Sequence, residues 1–267
     1  MPVIPVYSLE DPRLAPYLNL KERDLAREGD RFIAEGENLV KRLIASRLKT
    51  ESVLLAERRV AELAPEIPEH IPVYAAPSEV VNQVLGFKFH SGVMAVGLRG
   101  PSPSLDQIIK PAVDDPVTLL ICPEIEKTDN MGALIRIAAG FGVDAMILGE
   151  RCCDPFFRQS VRVSMGAAFV LPIVRSIDLA RDLTRLHEDF GVQLIATVLA
   201  DDAQNLESVK RPKRLGLLLG NEAQGLEKRW LDLCQKQVTL RMKLGTDSLN
   251  VAVAGGIFLY HFTRATP

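Results

Sequence analysis

The sequence is short of the residues that build metal sites and disulfide frameworks. Its 267 residues hold four cysteines (Cys122, Cys152, Cys153, Cys234) and four histidines (His70, His90, His187, His261). Two of the cysteines are adjacent, no C-x-x-C occurs, and the histidines are scattered. A structural zinc site needs Cys and His at short spacing, so the pattern points to a reduced, intracellular, metal-free protein. Charge of one sign is also missing: 32 Lys and Arg stand against 34 Asp and Glu, a formal net charge of -2. That balance argues only weakly against nucleic-acid binding, which depends on local patches and not on the sum. No run approaches the roughly 18 apolar residues of a membrane span. The opening MPVIPVYSLEDPR lacks the basic flank and apolar run of a signal peptide. No internal repeat is visible. What is present, 47% hydrophobic and 25% charged residues, is the balance of a folded chain with a core, which excludes a mainly disordered or fibrous state.

Composition changes near residue 100. Gly100-Pro-Ser-Pro-Ser104 and Lys110-Pro-Ala-Val-Asp-Asp-Pro116 carry turn and linker chemistry. They separate a region 1–100 from a region 117–267, with 101–116 as linker. In the first region, apolar residues at Leu39, Val40, Leu43, Ile44 and Leu48 have helical spacing. Ser52–Ala56, Ile71–Ala75 and Val93–Leu98 read as strands, with a short helix capped by Ser78. In the second region strands and helices alternate: VTLLIC, MGALIRIAAGF, DAMIL, a weak helix at Val161–Ala168, FVLPIV, Leu179–Phe190, QLIATVL, RLGLLLG, Leu226–Cys234, QVTLRM and a terminal helix over Asn250–Phe262. The proline in FVLPIV places that strand at an edge or an end. The fold class is therefore α/β: a small N-terminal α/β domain, then a C-terminal domain on a mostly parallel sheet. Ligands of such sheets sit at the carboxyl ends of the strands.

Three loops there carry polar residues in apolar surroundings. The first, from Glu126, follows VTLLIC; Asp129 or Asn130 could cap the next helix, and Arg136 falls on it among Leu134, Ile135, Ile137 and Ala138. Its bland explanation is a snorkelling or structurally paired arginine. The second is Leu217-Leu-Leu-Gly-Asn-Glu-Ala-Gln-Gly-Leu226, where Gly220 ends a buried strand and Glu222 follows. Its bland explanation is a strand-to-helix turn. The third runs from Leu240 to Asn250 into VAVAGGIFLY, and Ser248 or Asn250 could simply be a helix cap. Gly140-Phe-Gly142 resembles a glycine-rich phosphate loop, but it follows a helix, whereas the dinucleotide fingerprint follows a strand. A helix C-terminus explains it better.

Taken in order, N-M-G-A-x-x-R-x-A, L-L-G-N-E-x-x-G-L and S-L-N-V-A-V-A resemble the three motifs of the SpoU (TrmH-like) family of RNA ribose 2′-O-methyltransferases, within the SPOUT superfamily. Arg31-Phe-Ile-Ala-Glu-Gly-Glu-Asn-Leu-Val40 and His90-Ser-Gly-Val-Met-Ala-Val96 are similar to the small substrate-binding domain that precedes it. The resemblance implies an RNA-binding domain over 1–100 and a methyltransferase domain over 117–267 with a trefoil knot. It further implies S-adenosylmethionine as cofactor, a homodimer, and a cytoplasmic enzyme acting on RNA, ribosomal before transfer RNA. Carried over by position, Asn130, Arg136, Glu222, Ser248 and Asn250 are the catalytic candidates. Gly220, Leu240, Met242 and Leu249 are the cofactor-contacting candidates, and Arg31, Lys88 and His90 the RNA-contacting ones. Arg241 stands where the family has proline, which adds a free N–H, and Ser91 stands where it has glutamine.

A guanidinium keeps its proton near neutral pH. Arg136 is therefore expected to hold an RNA phosphate or the developing alkoxide, with Asn130, Ser248 and Asn250 orienting it and the ribose. Glu222 is expected to position Arg136 or a neighbouring donor. Lys210-Arg-Pro-Lys-Arg214 and the group Lys21, Arg23, Arg27, Arg31 are basic clusters that serve either as phosphate contacts or as solvated faces. Glu22, Asp24 and Glu28 are interleaved with the second group. A non-catalytic RNA-binding scaffold of the same fold is the alternative; intact polar positions in all three motifs speak against it.

Overall fold

The computed structural model describes residues 3–18, 30–85, 91–110, 115–243 and 248–264. Lys21, Arg23, Arg27, Lys88 and His90 lie outside the described residues. The chain divides into two compact units. The first comprises Met1–Pro101 and Phe156–Val170, the second Ser102–Pro155 and Leu171–Pro267.

The first unit is built on a five-stranded sheet: β1 (Ile4–Pro5), β2 (Arg31–Glu35), β3 (Lys49–Ala56), β4 (Val73–Ala76) and β5 (Val93–Leu98), in the order β1-β4-β3-β5-β2. β1, β4 and β3 run parallel; β5 pairs antiparallel with β3 and β2. Its helices are α1 (Ala15–Leu18), α2 (Glu37–Ile44), α3 (Glu57–Leu63) and α4 (Ser78–Leu85). In α2, Leu39, Val40 and Leu43 turn inward at helical spacing. The helix stops four residues before the expected end, because Lys49 already begins β3. Buried Ser52 is satisfied by the Tyr17 hydroxyl at 2.7 Å, as a buried hydroxyl requires. The first region was expected to end at residue 100, yet residues 156–170 also pack here. The Phe32 ring lies 4.9 Å from Phe156 and 5.4 Å from Phe169, and Arg158 Nε donates to Glu35 at 2.6 Å. A Cβ at Gly97 would stand 2.3 Å from the Phe32 ring, so that strand position has room for glycine alone.

The second unit is a seven-stranded, all-parallel sheet among the described residues: β6 (Val117–Cys122), β7 (Ala145–Leu148), β8 (Ile173–Arg175), β9 (Gln193–Thr197), β10 (Gln204–Asn205), β11 (Arg214–Leu218) and β12 (Lys236–Thr239). Their order is β10-β12-β9-β11-β6-β7-β8. Helices α5 (Leu105–Ile108), α6 (Thr128–Gly140), α7 (Arg158–Val163, within the first unit's segment), α8 (Leu179–Glu188), α9 (Lys228–Leu231) and α10 (Val251–Thr263) follow in chain order. β6 is buried along nearly its whole length, which explains its unbroken apolar run. Beside it lie Ala145, Ile147, Leu194 and Leu218, under Leu183, Leu186 and Trp230. Each such large apolar side chain contributes about 1.5–3 kcal/mol. β8, with Pro172 just before it, is an edge strand. Gly142 at φ 67° follows the end of α6, the helix terminus expected of Gly140-Phe-Gly142.

Strand order dictates where a ligand can enter. From β6 the chain builds outward through β7 and β8, crosses to β9, and then inserts β11 between β9 and β6. The loops leaving the neighbouring strands β6 and β11 therefore diverge at their carboxyl ends and open a crevice. All three motifs lead into it.

Candidate active site

Helix α6 begins at Thr128, with Lys127 as an N-cap that makes no side-chain cap bond. Asn130 is thus inside the first turn and not the cap considered for it, which frees its amide for other partners. Its Nδ2 donates to Glu222 Oε1 at 2.8 Å, and its Oδ1 accepts from Asn250 Nδ2 at 2.9 Å. Asn250 is the N-cap of α10: its Oδ1 accepts from the Ala252 N–H at 2.9 Å and the Val253 N–H at 3.4 Å. The helix end thus holds the Asn250 oxygen and leaves its NH₂ for Asn130, while Asn130 offers its own NH₂ to a carboxylate that accepts. One directed chain of hydrogen bonds runs from the positive end of α10 through Asn250 and Asn130 to Glu222.

The loop carrying Glu222 is held by its own backbone. Asn221 and Gly225 exchange two backbone hydrogen bonds of 3.0 Å, and Asn221 Oδ1 accepts from the N–H groups of Ala223 and Gln224 at 2.8 and 3.2 Å. A Cβ on Gly220 would stand 2.4 Å from the Gly225 carbonyl carbon, so this tight return requires glycine. Thr197, which ends β9, donates its hydroxyl to the Leu218 carbonyl at 2.9 Å and pins the end of β11. Asn221 and Gly225 form the turn expected at the end of that strand, whereas Thr197 was not singled out in the sequence. The spacing Asn221-x-x-x-Gly225 carries that turn signal, since Asn and Gly are turn formers.

Of the remaining candidates, Arg136 is exposed and makes no hydrogen bond or ion pair among the described residues. It follows Asn130 by six residues, about 240° around and about 9 Å along an α-helix, so it does not join the Asn130–Glu222–Asn250 cluster. Glu222 therefore holds a neighbouring donor, Asn130, and not Arg136. Ser248 and Leu249 are exposed, and Leu240 and Met242 half-buried. They follow β12 and precede α10, and the third motif joins the other two through Asn250 and Asn130. Cys122 and Cys153 lie close enough to Glu222 to sense its charge, though burial is the main cause that raises both thiols, Cys153 to about 12. Among the described residues no group of three or more His, Cys, Asp or Glu is placed to hold a metal ion.

Two basic features take other roles. Arg31 Nε and Nη2 donate to Glu51 at 2.8 and 2.9 Å, so its charge is matched within the first unit. In the Lys210–Arg214 cluster, Arg211 bonds Thr118 Oγ1 at 2.9 Å and Arg214 the Lys110 carbonyl at 2.9 Å. These arginines secure the amino ends of β6 and β11, away from the crevice.

Leu249, just before α10, and Val253, Ile257 and Tyr260 on it are exposed by 37, 51, 39 and 54%. The spacing of the three helical residues places them along one apolar stripe. The opposite side of α10 packs on α6, where Gly255 admits Leu219 and Leu134.

Residues 118–260 match the SpoU rRNA Methylase family. The chain is 35% identical over 264 residues to an uncharacterized tRNA/rRNA methyltransferase of Mycobacterium bovis, covering 96% of this chain and 90% of that one. It is 28% identical over 210 residues to the 23S rRNA (guanosine-2′-O-)-methyltransferase RlmB of Acinetobacter baylyi, covering 78% and 83%. The AdoMet-bound rRNA methyltransferase from Sinorhizobium meliloti superposes with a TM-score of 0.86 at 26% identity, covering 99% of both chains.

Proposed function

The chain belongs to the SpoU rRNA methylase family, and from that premise we propose that it transfers a methyl group from S-adenosylmethionine to a ribose 2′-hydroxyl of ribosomal RNA. The observation that carries the proposal is the directed chain Asn250–Asn130–Glu222 at the strand-order switch, the place where open α/β sheets take ligands. The rim of the crevice suits this cofactor. Half-buried Leu240 and Met242 and exposed Leu249 offer an apolar surface for an adenine ring, and the chain bends at Gly220 with its main-chain groups available to read ring edges. When bound, the cofactor supplies a sulfonium-activated methyl group: the S–C bond breaks as the O–C bond forms.

The chain's own residues position and stabilise. Asn130 and Asn250 are held in one orientation by their neighbours, so they present fixed dipoles to a ribose; such positioning is worth roughly 7–11 kcal/mol when geometry is good. Arg136, exposed and unpaired among the described residues, meets an RNA phosphate as a cation. Ser248 offers a hydroxyl at the same mouth, and the proton leaves to solvent. The first unit holds RNA, with Lys88 and His90 among its contacts, while Arg31 is held by Glu51. Exposed Arg47 and Lys49, which make no ion pair among the described residues, add to that face. We take the molecule to be a cytoplasmic homodimer joined through the α10 stripe. The trefoil knot is part of the same proposal, supported by the late insertion of β11 between strands already laid down.

The test is transfer of tritiated methyl from S-adenosylmethionine to ribosomal and transfer RNA. Alkali-resistant labelled dinucleotides from ribosomal RNA, lost with Arg136→Ala, are the expected result. Label in transfer RNA alone would change the substrate. A wild-type protein that binds the cofactor and labels neither would overturn the catalytic proposal. For the dimer, Val253→Asp with Ile257→Asp should halve the mass seen by light scattering; an unchanged mass refutes that interface.

A further inference from the structure

The loops that meet at Asn130 and Glu222 are tied a second time, outside the catalytic cluster. The loop after β6 carries Glu124, the loop after β7 carries Arg151, and the loop after β11 ends at Glu227. Arg151 Nη2 lies 2.7 Å from Glu124 Oε2 and also pairs with Glu227 Oε1. The other Glu227 oxygen accepts from Arg229 Nε at 2.8 Å, and Arg229 stacks 4.4 Å from the buried Trp230 ring. A row of alternating charges, Glu124–Arg151–Glu227–Arg229, thus ends on the core.

Two of the three loops already form one base. The Cys153 N–H donates to the Ile125 carbonyl at 2.8 Å, and the Ile125 N–H to Cys152 Sγ at 3.3 Å. A Cβ on Gly149 would stand 2.4 Å from the Pro123 carbonyl oxygen. The loop after β11 has its own closed hairpin but is tied to that base by the Asn130–Glu222 hydrogen bond and the Arg151–Glu227 pair. We propose that Arg151 is a positioning residue for the methyl-donor site: it holds the Glu222 loop against the Asn130 loop and thereby sets the width of the crevice. The proposal rests on the methyl-donor assignment of that crevice. Without Arg151, Glu124 and Glu227 would face each other as like charges with Glu126 nearby, and like charges repel across a gap that the remaining hydrogen bond must hold alone. The Arg151 side chain is 46% exposed, so the pairs add little to global stability. Their loss should change ligand affinity far more than folding. One nitrogen meets both carboxylates, so an ammonium can replace the guanidinium.

The experiment is calorimetry with S-adenosylmethionine alone, joined to steady-state kinetics on the RNA that accepts label. Arg151→Ala should raise the Kd and KM for the cofactor about tenfold, with kcat and melting temperature little changed. Arg151→Lys should restore most of the affinity. Arg151→Glu should be worse than Arg151→Ala, and adding Glu227→Arg to it should recover binding. Rising salt should weaken wild-type binding more than that of Arg151→Ala. Wild-type affinity in Arg151→Ala, or no recovery in the charge-swapped protein, would overturn the proposal while the methyl-donor assignment stands. A wild-type protein with no affinity for the cofactor would overturn both.

Discussion

Asn250 does two jobs, and two substitutions separate them. Its oxygen caps α10 through the Ala252 and Val253 N–H groups, while its NH₂ donates to Asn130 Oδ1 at 2.9 Å. Asn250→Ala removes both. A lost N-cap costs about 1 kcal/mol, and a lost hydrogen bond about 1 kcal/mol more. The sum, about 2 kcal/mol, corresponds to a melting shift of roughly 4–8 °C for a unit of this size. Asn250→Asp keeps the cap and places a negative charge at the helix N-terminus, a gain of roughly 0.3–1 kcal/mol that offsets the missing bond to Asn130. Its stability should stay near wild type. The chain of donors nevertheless breaks, because two acceptors now face each other at Asn130. Turning the Asn130 amide over moves the conflict to Glu222, 2.8 Å away. Methyl transfer should therefore fall on the order of 100-fold, the usual consequence of a small misplacement. Adding Glu222→Gln to Asn250→Asp lets the chain run in reverse, from Gln through Asn130 to Asp, and should restore the order of the cluster. Melting curves, label transfer and the amide NMR signals of residue 130 measure these effects. An Asn250→Asp protein with wild-type turnover beside an inactive Asn250→Ala would refute the reasoning, because Asn250 would then be a cap alone.

Three further outcomes follow from the packing. Gly220→Ala should abolish cofactor binding, since its Cβ would stand 2.4 Å from the Gly225 carbonyl carbon; calorimetry checks this, and unaltered binding would mean the loop tolerates a different path. Residues 1–101 produced alone lose Phe156 and Phe169 from the Phe32 ring, about 1.5–3 kcal/mol for the buried Phe169 ring and a smaller share for half-buried Phe156. Unfolding in urea should show a fragment less stable than the same fragment with residues 156–170 linked to its end, and equal midpoints would be contrary evidence. Burial raises the Cys152 and Cys153 thiols to about 11 and about 12. The folded protein therefore holds these protons more tightly than the unfolded chain, where a thiol titrates near about 8.5. The associated stability is complete below that value and is lost as pH rises through the folded values. Melting temperature should be flat from about pH 7 to 8 and decline above about 9. Iodoacetamide at neutral pH should spare both thiols until denaturant is added, and rapid native labelling would contradict the burial argument.

Periodicity made the second unit legible. Its central strands β6, β7 and β11 are nearly continuous apolar runs because parallel strands are covered on both faces, and the proline before Ile173 correctly marked an edge strand, whereas β10, Gln204–Asn205, has no apolar residue to reveal it. The first unit was harder. The pair of residues at Ile4–Pro5 is too short for any pattern, and Arg31–Glu35 stands out by its resemblance to a substrate-binding domain and not as the strand it forms. Segment 156–170 reads as helix and turn within the second region, yet Phe156, Phe169 and Arg158 are matched to Phe32 and Glu35 in the first unit. No local signal carries that information, since its partners lie 123 positions away in the case of Arg158 and Glu35.

The site shows why three loops that are each weak in isolation become informative together. Every bland explanation was a statement about neighbours in sequence, and for Asn250 the bland one is true: it caps its helix. Capping and function are not alternatives here. The cap occupies one end of the amide and so fixes which end is left, and the free end reaches Asn130 across 120 positions. Asn130 was itself considered as a cap and is not one, because the helix starts earlier, at Thr128. Its release from that role lets it bridge to Glu222, 92 positions on. Arg136 lies on the same helix but faces elsewhere, so a motif shared in sequence splits into a buried amide, Asn130, and an exposed cation. Helical periodicity could have anticipated that split, because six residues place two side chains far apart around the axis. The long-range pairings could not be anticipated, because strand order, and not spacing, brings the loops of β6 and β11 together.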